Sequence, residues 1–283
     1  MAEELRPPPL TRRRFLATSA GAGFALAVRP IRADTVVRTD SAGLLADDVM
    51  IPMEDGSAIP GYLARPEGAG PFPVVLVIQE IFGVHEHIED VCRRFAREGY
   101  LALAPELFHR QGDVADLTDF EAILAIVRQV PDAQVMTDLD AAVSYAAGQH
   151  GNVAQLAITG FCWGGRITWL YAAHSELVAA GVAWYGRVTG DATPLQPEHP
   201  VDIAAALQAP VLGLYGGQDT GIPMTEVAKM QAALEAAESP STFHIYPHAP
   251  HAFHADYRPS YREAAARDGW QRTLAWFREH GVG

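Results

Sequence analysis

An α/β fold with a mainly parallel central sheet is what this sequence predicts, on three observations. Strand-like and helix-like segments alternate from residue 46 onwards. One strand-like run, "FPVVLVIQ" (72–79), is β-branched and continuous, as expected of a strand buried on both faces. Glycines close helical segments, at Gly99 and Gly148. Strands joined through helices return in the same direction, so such a succession builds a parallel sheet covered on both faces.

The elements follow in order. "VMIPM" (49–53) and "AIPGYLA" (58–64) flank the turn signal Asp55-Gly56 and predict an antiparallel hairpin at the N-terminal edge of the sheet. After the buried strand comes a helix over 87–99, whose apolar residues Ile88, Val91, Cys92 and Phe95 recur at helical spacing. "YLALAP" is the next strand, and 134–148 the next helix. A strand at 154–160 leads into a helix at 165–174. "VAAGVAWYG", "APVLGLYG" and "STFHIYP" are three further strands; a helix at 225–238 precedes the last, and a helix at 261–280 closes the chain. The Pro-rich stretch around 193–200 reads as an insertion near the sheet edge. No repeat or long linker marks a second unit, so residues 34–283 are expected to form a single domain.

The 283 residues carry a formal net charge of −13, spread along the chain. Nucleic-acid phosphates and anionic lipid would repel such a surface, which argues against both as partners. Residues 1–33 are of another character. Arg12-Arg13-Arg14 precede an apolar stretch from Phe15 to Val28, followed by small residues suited to cleavage after 27 or 33. The stretch is shorter than the roughly 20 residues a membrane span needs. It fits a signal peptide of twin-arginine type; the alternative is a basic arm with an amphipathic helix. Export to the periplasm or beyond is therefore expected, with no stable membrane insertion after processing.

An oxidising compartment permits disulfides, and the chain has two cysteines, Cys92 and Cys162. One bridge would add little to a core of this size and would block whatever Cys162 does. Cys92 lies on the apolar face of its helix, which favours a role as core filler.

Cys162 sits two residues past a strand and just before a helix, in "GFCWGG" (160–165). In parallel sheets chemistry collects at the carboxyl ends of strands. The G-x-C-x-G arrangement is the nucleophile-elbow pattern with cysteine in the serine position. A sharp strand-to-helix turn crowds side chains two residues either side of the nucleophile, and the following helix N-terminus favours a thiolate. The competing reading is a glycine-rich turn with a buried cysteine. A dinucleotide fingerprint and a phosphate-binding loop both fail, since neither G-x-G-x-x-G nor Gly-Lys-Ser/Thr is present here. A nucleophile also needs a base and something to orient the base. Asp219 follows the strand "APVLGLYG", and His248, His251 and His254 follow the last strand, in the chain order nucleophile, acid, histidine. The three histidines at H-x-x-H-x-x-H spacing are also a pattern that metal sites use.

The stretches "QEIFG" (79–83), "GFCWGG" (160–165), "YGGQD" (215–219) and "PHAPHAFH" (247–254) together resemble the dienelactone hydrolase (carboxymethylenebutenolidase) family, from about residue 46 to 280. The resemblance implies an α/β-hydrolase fold and a triad of Cys162, His251 and Asp219, with His251 selected because Ala252-Phe253 follow it. It implies that Glu80 lies near the cysteine and restrains it until substrate arrives. The backbone N–H groups of Ile81 and Trp163 would form the oxyanion hole. The family binds a carboxylate-bearing lactone with two arginines. Arg110 matches the first; Ala255 stands where the second is normally found, and Arg258 is near enough to compensate. Tyr185 and Trp184, ending another strand, belong either to the pocket lining or to the core.

The expected activity is hydrolysis of a small ester or lactone, neutral or anionic, through an acyl-thioester, with no metal or organic cofactor needed. A general carboxylesterase or thioesterase on the same scaffold is the first rival. A non-catalytic exported binding protein is the second, and it predicts an unreactive Cys162.

Overall fold

The computed structural model describes residues 34–283; the expected signal peptide lies outside the described residues. Eight strands form one sheet: β1 (Leu44–Pro52), β2 (Ala58–Pro66), β3 (Phe72–Ile78), β4 (Leu101–Pro105), β5 (Gly151–Phe161), β6 (Val178–Trp184), β7 (Val211–Gly216) and β8 (Thr242–Tyr246). Their order is β1-β2-β4-β3-β5-β6-β7-β8. β1 and β2 run antiparallel to their neighbours; β3 to β8 are parallel. This is the α/β-hydrolase type of sheet, with the expected edge hairpin.

Six helices connect or follow the strands: α1 (Glu86–Arg97), α2 (Phe120–Val127), α3 (Asp132–Gly148), α4 (Trp163–His174), α5 (Met224–Ala236) and α6 (Glu263–Glu279). The step from β3 to β4 runs one way across the sheet, and the steps from β4 through β5 to β6 run the other. Right-handed crossovers therefore place α1 on the face opposite α3 and α4. Phe95 of α1 packs on Trp270 and Phe277 of α6, while Tyr171 of α4 donates to Asp140 of α3 at 2.9 Å. Between these layers Val74 to Ile78 of β3 are fully buried. Burial of roughly 25 cal/mol per Å² of apolar surface along this strand anchors the fold.

Several boundaries differ from expectation. β1 begins at Leu44 rather than 49, because its first half (Asp47, Asp48) is exposed and polar and is extended only by pairing with β2. Charged residues on an outer strand also discourage pairing with a second sheet. The unforeseen helix α2 starts at Asp119, whose carboxylate caps it by accepting from the Glu121 N–H at 3.2 Å. The Pro-rich stretch is not at the sheet edge. It follows the internal strand β6 and packs against α3 and α4, through Asp132 N–H to Leu195 O (2.9 Å) and the Arg166 guanidinium to Glu198 O (2.7 Å). Among the described residues no helix is long and apolar enough to cross a membrane.

The chain leaves β3 for β4 on one side and returns to β5 on the other, so the crevice at the carboxyl ends of β3 and β5 is the sheet's switch point.

Candidate active site

The loops that follow β3, β5, β6, β7 and β8 carry Glu80, Cys162, Tyr185, Asp219 and His251 in turn. All leave the sheet at the same end. The turn after β5 is built on close approach. A Cβ on Gly160 would lie 2.2 Å from the Gly164 carbonyl oxygen, and one on Gly164 would lie 2.5 Å from Ile78 O and 2.6 Å from Gln79 O. With those side chains absent the turn closes directly onto the end of β3. Cys162 at its apex takes φ 55° and ψ −112°, a region a non-glycine residue occupies only under restraint. Its N–H donates to Trp184 O at 3.0 Å, and its carbonyl accepts from Gly165 N–H at 3.0 Å. Both cysteines are free, Cys92 fully buried in α1 and Cys162 half-buried at the start of α4.

Asp219 is nearly enclosed. One carboxylate oxygen accepts from the N–H groups of Gly221 (2.8 Å) and Ile222 (3.0 Å), and the other meets His251 Nδ1 at 2.7 Å. Burial opposes a charge on His251, but the neighbouring Cys162 and the hydrogen bond that the imidazole donates to Asp219 outweigh it and raise the imidazole pKa to about 10. His251 thus stands between Asp219 and Cys162. The other two histidines have different surroundings: His248 is exposed, whereas His254 is buried against Phe161 and Trp184.

Glu80 is fully buried at the end of β3. Tyr257 donates its hydroxyl to Glu80 Oε2 at 2.5 Å, and His85 Nε2 approaches the same oxygen at 3.6 Å. Burial alone would raise this carboxyl's pKa; His85, His87 and Tyr257 together bring it down to about 2. Neither Tyr257 nor His85 stood out in the sequence, because nothing local to either one marks it. Gln79 fixes the loop from the other side, giving its amide to Glu106 (2.9 Å), which also accepts from Val84 N–H at 2.7 Å. The N–H of Trp163 directly follows Cys162 and that of Ile81 lies in the loop after β3, and no protein acceptor among the described residues takes either.

The two arginines are placed differently. Arg110 meets both oxygens of buried Asp138, at 2.7 and 2.6 Å, and is committed to α3. Arg258 is half-buried, has no carboxylate partner among the described residues, and lies over the Phe82 ring at 5.7 Å. Ala255 is fully buried. Tyr185 belongs to both the core and the site: it is fully buried, and its ring meets His251 edge-on at 5.2 Å. Trp184 is core, stacked on Phe161.

A sheet of this topology, with an acid and histidine pair and an elbow residue at the carboxyl ends of its strands, defines the α/β-hydrolase class of enzyme. Within that class, residues 59–281 match the model of the dienelactone hydrolase family, and the chain belongs to that family. It is 60% identical over 275 residues to a protein of Methylorubrum extorquens provisionally named carboxymethylenebutenolidase, covering 96% of this chain and 94% of the relative. An Escherichia coli protein with the same provisional name is 54% identical over 268 residues, covering 94% and 98%. Among solved structures, a provisionally named dienelactone hydrolase from Klebsiella pneumoniae superposes with a TM-score of 0.82 at 55% identity, over 83% of this chain and 99% of that one. The chain is a hydrolase.

Proposed function

We propose that this hydrolase cleaves a small ester or lactone through Cys162, with His251 as general base and Asp219 as its orienting acid. The observation that carries the reading is the Asp219–His251 pair at 2.7 Å, with the imidazole interacting in turn with Cys162 at the apex of a restrained turn. In this mechanism His251, an imidazolium near neutral pH by its raised pKa, pairs with the Cys162 sulfur as that sulfur attacks the substrate carbonyl. It becomes the free base only after giving its proton to the leaving group. The N–H groups of Ile81 and Trp163 receive the oxyanion. Collapse gives an acyl-thioester, and His251 gives its proton to the departing alkoxide, which in a lactone stays tethered to the acyl group. Water, deprotonated by His251, then releases the acid and restores the thiol. Glu80 contributes a buried negative charge beside the elbow, which opposes a free thiolate when no substrate is bound.

Arg258 is the proposed anchor for a substrate carboxylate, since Arg110 is held by Asp138. That commitment of Arg110, with Ala255 in place of a second arginine, is the specific observation favouring neutral esters as the second reading. Residues 1–33 support export as the proposed destination.

The test is turnover of a carboxylate-bearing lactone and of a neutral aryl ester, before and after alkylation, alongside Cys162→Ala. Loss of turnover on alkylation and in the variant is expected, by at least about a thousandfold in kcat. An alanine variant that hydrolyses esters normally would overturn the mechanism. The ratio of the two substrates decides between an anionic and a neutral acyl group.

A further inference from the structure

The carboxylate nearest the elbow does not engage the thiol. Glu80 Oε2 is taken by the Tyr257 hydroxyl, with His85 Nε2 on the same side, and Cys162 interacts with His251 instead. Yet Glu80 and Cys162 are close. Gly164 rests on the carbonyls of Ile78 and Gln79, one and two residues before Glu80, and the buried Tyr185 hydroxyl senses the charges of both Glu80 and Cys162. A carboxylate this near a thiol would ordinarily accept its proton in a hydrogen bond. We propose that Tyr257 and His85 are positioning residues that hold the Glu80 carboxylate turned away from Cys162, and that this restraint leaves the thiol to His251. The inference rests on the reading of Cys162 as nucleophile.

The restraint is well built. The Tyr257 ring meets the stacked rings of His85 (5.4 Å) and His87 (5.2 Å) edge-on, so its hydroxyl has little freedom to leave Glu80. Burial and the Glu80 charge push the Tyr257 pKa well above 10, which keeps its hydroxyl a donor. His87 is fixed in turn by Asp256, at 3.1 Å from Nδ1, and Asp256 accepts from Arg94 at 2.7 Å. The groups facing Glu80 are therefore His85, which caps α1, His87 in the first turn of α1, and Tyr257, Arg258 and His254 from the loop after β8. Tyr185 after β6 and Cys162 at the elbow complete the ring. Among these, Tyr257 donates to Oε2 at 2.5 Å and His85 Nε2 stands 3.6 Å from the same oxygen. With Tyr257 or His85 removed, a still-ionised Glu80 is held from one side fewer and turns toward the Cys162 thiol.

Iodoacetamide alkylation of the full chain across pH 5–9 reads this directly, because Cys92 is fully buried and its pKa is pushed up by burial, leaving Cys162 as the reactive thiol. Tyr257→Phe and His85→Gln are expected to slow alkylation at pH 7 by about threefold or more, and to move its pH midpoint upward. Glu80→Gln is expected to speed it. In the Glu80→Gln background, Tyr257→Phe should change nothing further, since the two act through one group. Wild-type alkylation rates in both single variants, or an undiminished Tyr257→Phe effect without Glu80, would overturn the proposal. Tyr257→Phe removes one oxygen and keeps the ring packing, so it decides the matter if His85→Gln unfolds. Alkylation needs no turnover. If the chain hydrolyses no ester while the alkylation shifts appear, the functional reading falls and the restraint stands; normal hydrolysis with unshifted alkylation gives the reverse.

Discussion

At Cys162 the backbone holds a conformation that costs about 1–3 kcal/mol for a residue with a side chain, and the neighbouring glycines make it attainable. Gly164→Ala would drive a Cβ into two main-chain oxygens that cannot rotate away. It is expected to destabilise the fold by about 1–3 kcal/mol in urea denaturation and to displace Cys162 from His251, reducing ester turnover to background. Asp219→Asn tests the imidazole's orientation instead. The amide oxygen can still accept from Gly221 and Ile222, leaving the NH₂ to donate to His251 Nδ1. That fixes the proton on Nε2 and removes the base, so kcat/KM should fall by about 10² to 10⁴ in a protein that still folds. Its melting temperature should be lower, because the charge that helps raise the His251 pKa is gone. An unaltered kcat/KM would remove Asp219 from the mechanism. The elbow was legible in the sequence because its reason is local: close packing within a few residues. Tyr257 was not, because its partner Glu80 lies 177 residues away and a tyrosine near the end of a loop has no pattern of its own.

Between elements, the link from α1 to the loop carrying His251 is ionic. Arg94 donates to Asp90 on its own helix and to Asp256 of the loop, at 2.5 and 2.7 Å, and both carboxylates are buried. The segment before β1 joins the same group, through Thr39 N–H to Asp90 (2.5 Å) and Val37 N–H to Asp256 (3.3 Å). Arg94→Met would leave two buried carboxylates short of a cation. A loss of about 3 kcal/mol is expected in urea denaturation. Arg267→Met, which breaks an exposed pair with Glu263, should cost under about 1 kcal/mol. Similar losses in the two variants would contradict the distinction. At this scale helical spacing located α1 correctly, since Ile88, Val91, Cys92 and Phe95 are all buried. It gave no sign that Asp90 and Arg94, polar residues of an amphipathic helix, are the groups that grip the loop carrying His251. Hydrophobic periodicity reports which face is inward, and a polar tie made by tertiary contact leaves no trace in it. Helix α2 escaped for a related reason: "FEAILAIV" is apolar nearly all round, and only its Asp119 cap marks a beginning.

Taken as a whole, the molecule encloses titratable groups of opposite tendency, and this sets how its stability depends on pH. Burial holds His254 well below its ordinary 6.5, helped by the charges of His87 and Arg94, and burial lowers His85 as well. His254 thus stays neutral in the fold where the unfolded chain takes up a proton, below pH 6.5, and His85 is shifted in the same sense. The unfolded state then binds more protons, so stability falls as the solution is acidified, by about 1.4 kcal/mol per pH unit for each histidine that stays neutral. Glu80 and Asp256 extend the loss to lower pH. Both have pKa values depressed by their histidine and arginine neighbours against the effect of burial, so their stabilisation is complete above about pH 4.5 and disappears as each protonates. His251 acts in the opposite sense. Its pKa is raised from 6.5 to about 10, so its contribution is complete below 6.5 and is lost as pH rises through 10. Maximal stability is therefore expected near neutrality, with an acid limb already visible between pH 7 and 5.5, above the range of ordinary carboxylates. Thermal unfolding from pH 5 to 9 measures it. His254→Phe, which keeps the stacking on Phe161 and removes an Nδ1 that has no partner among the described residues, should flatten that limb. A melting temperature constant from pH 7 to 5.5 in the wild type, or an equal slope in the variant, would show that the buried histidines do not control it.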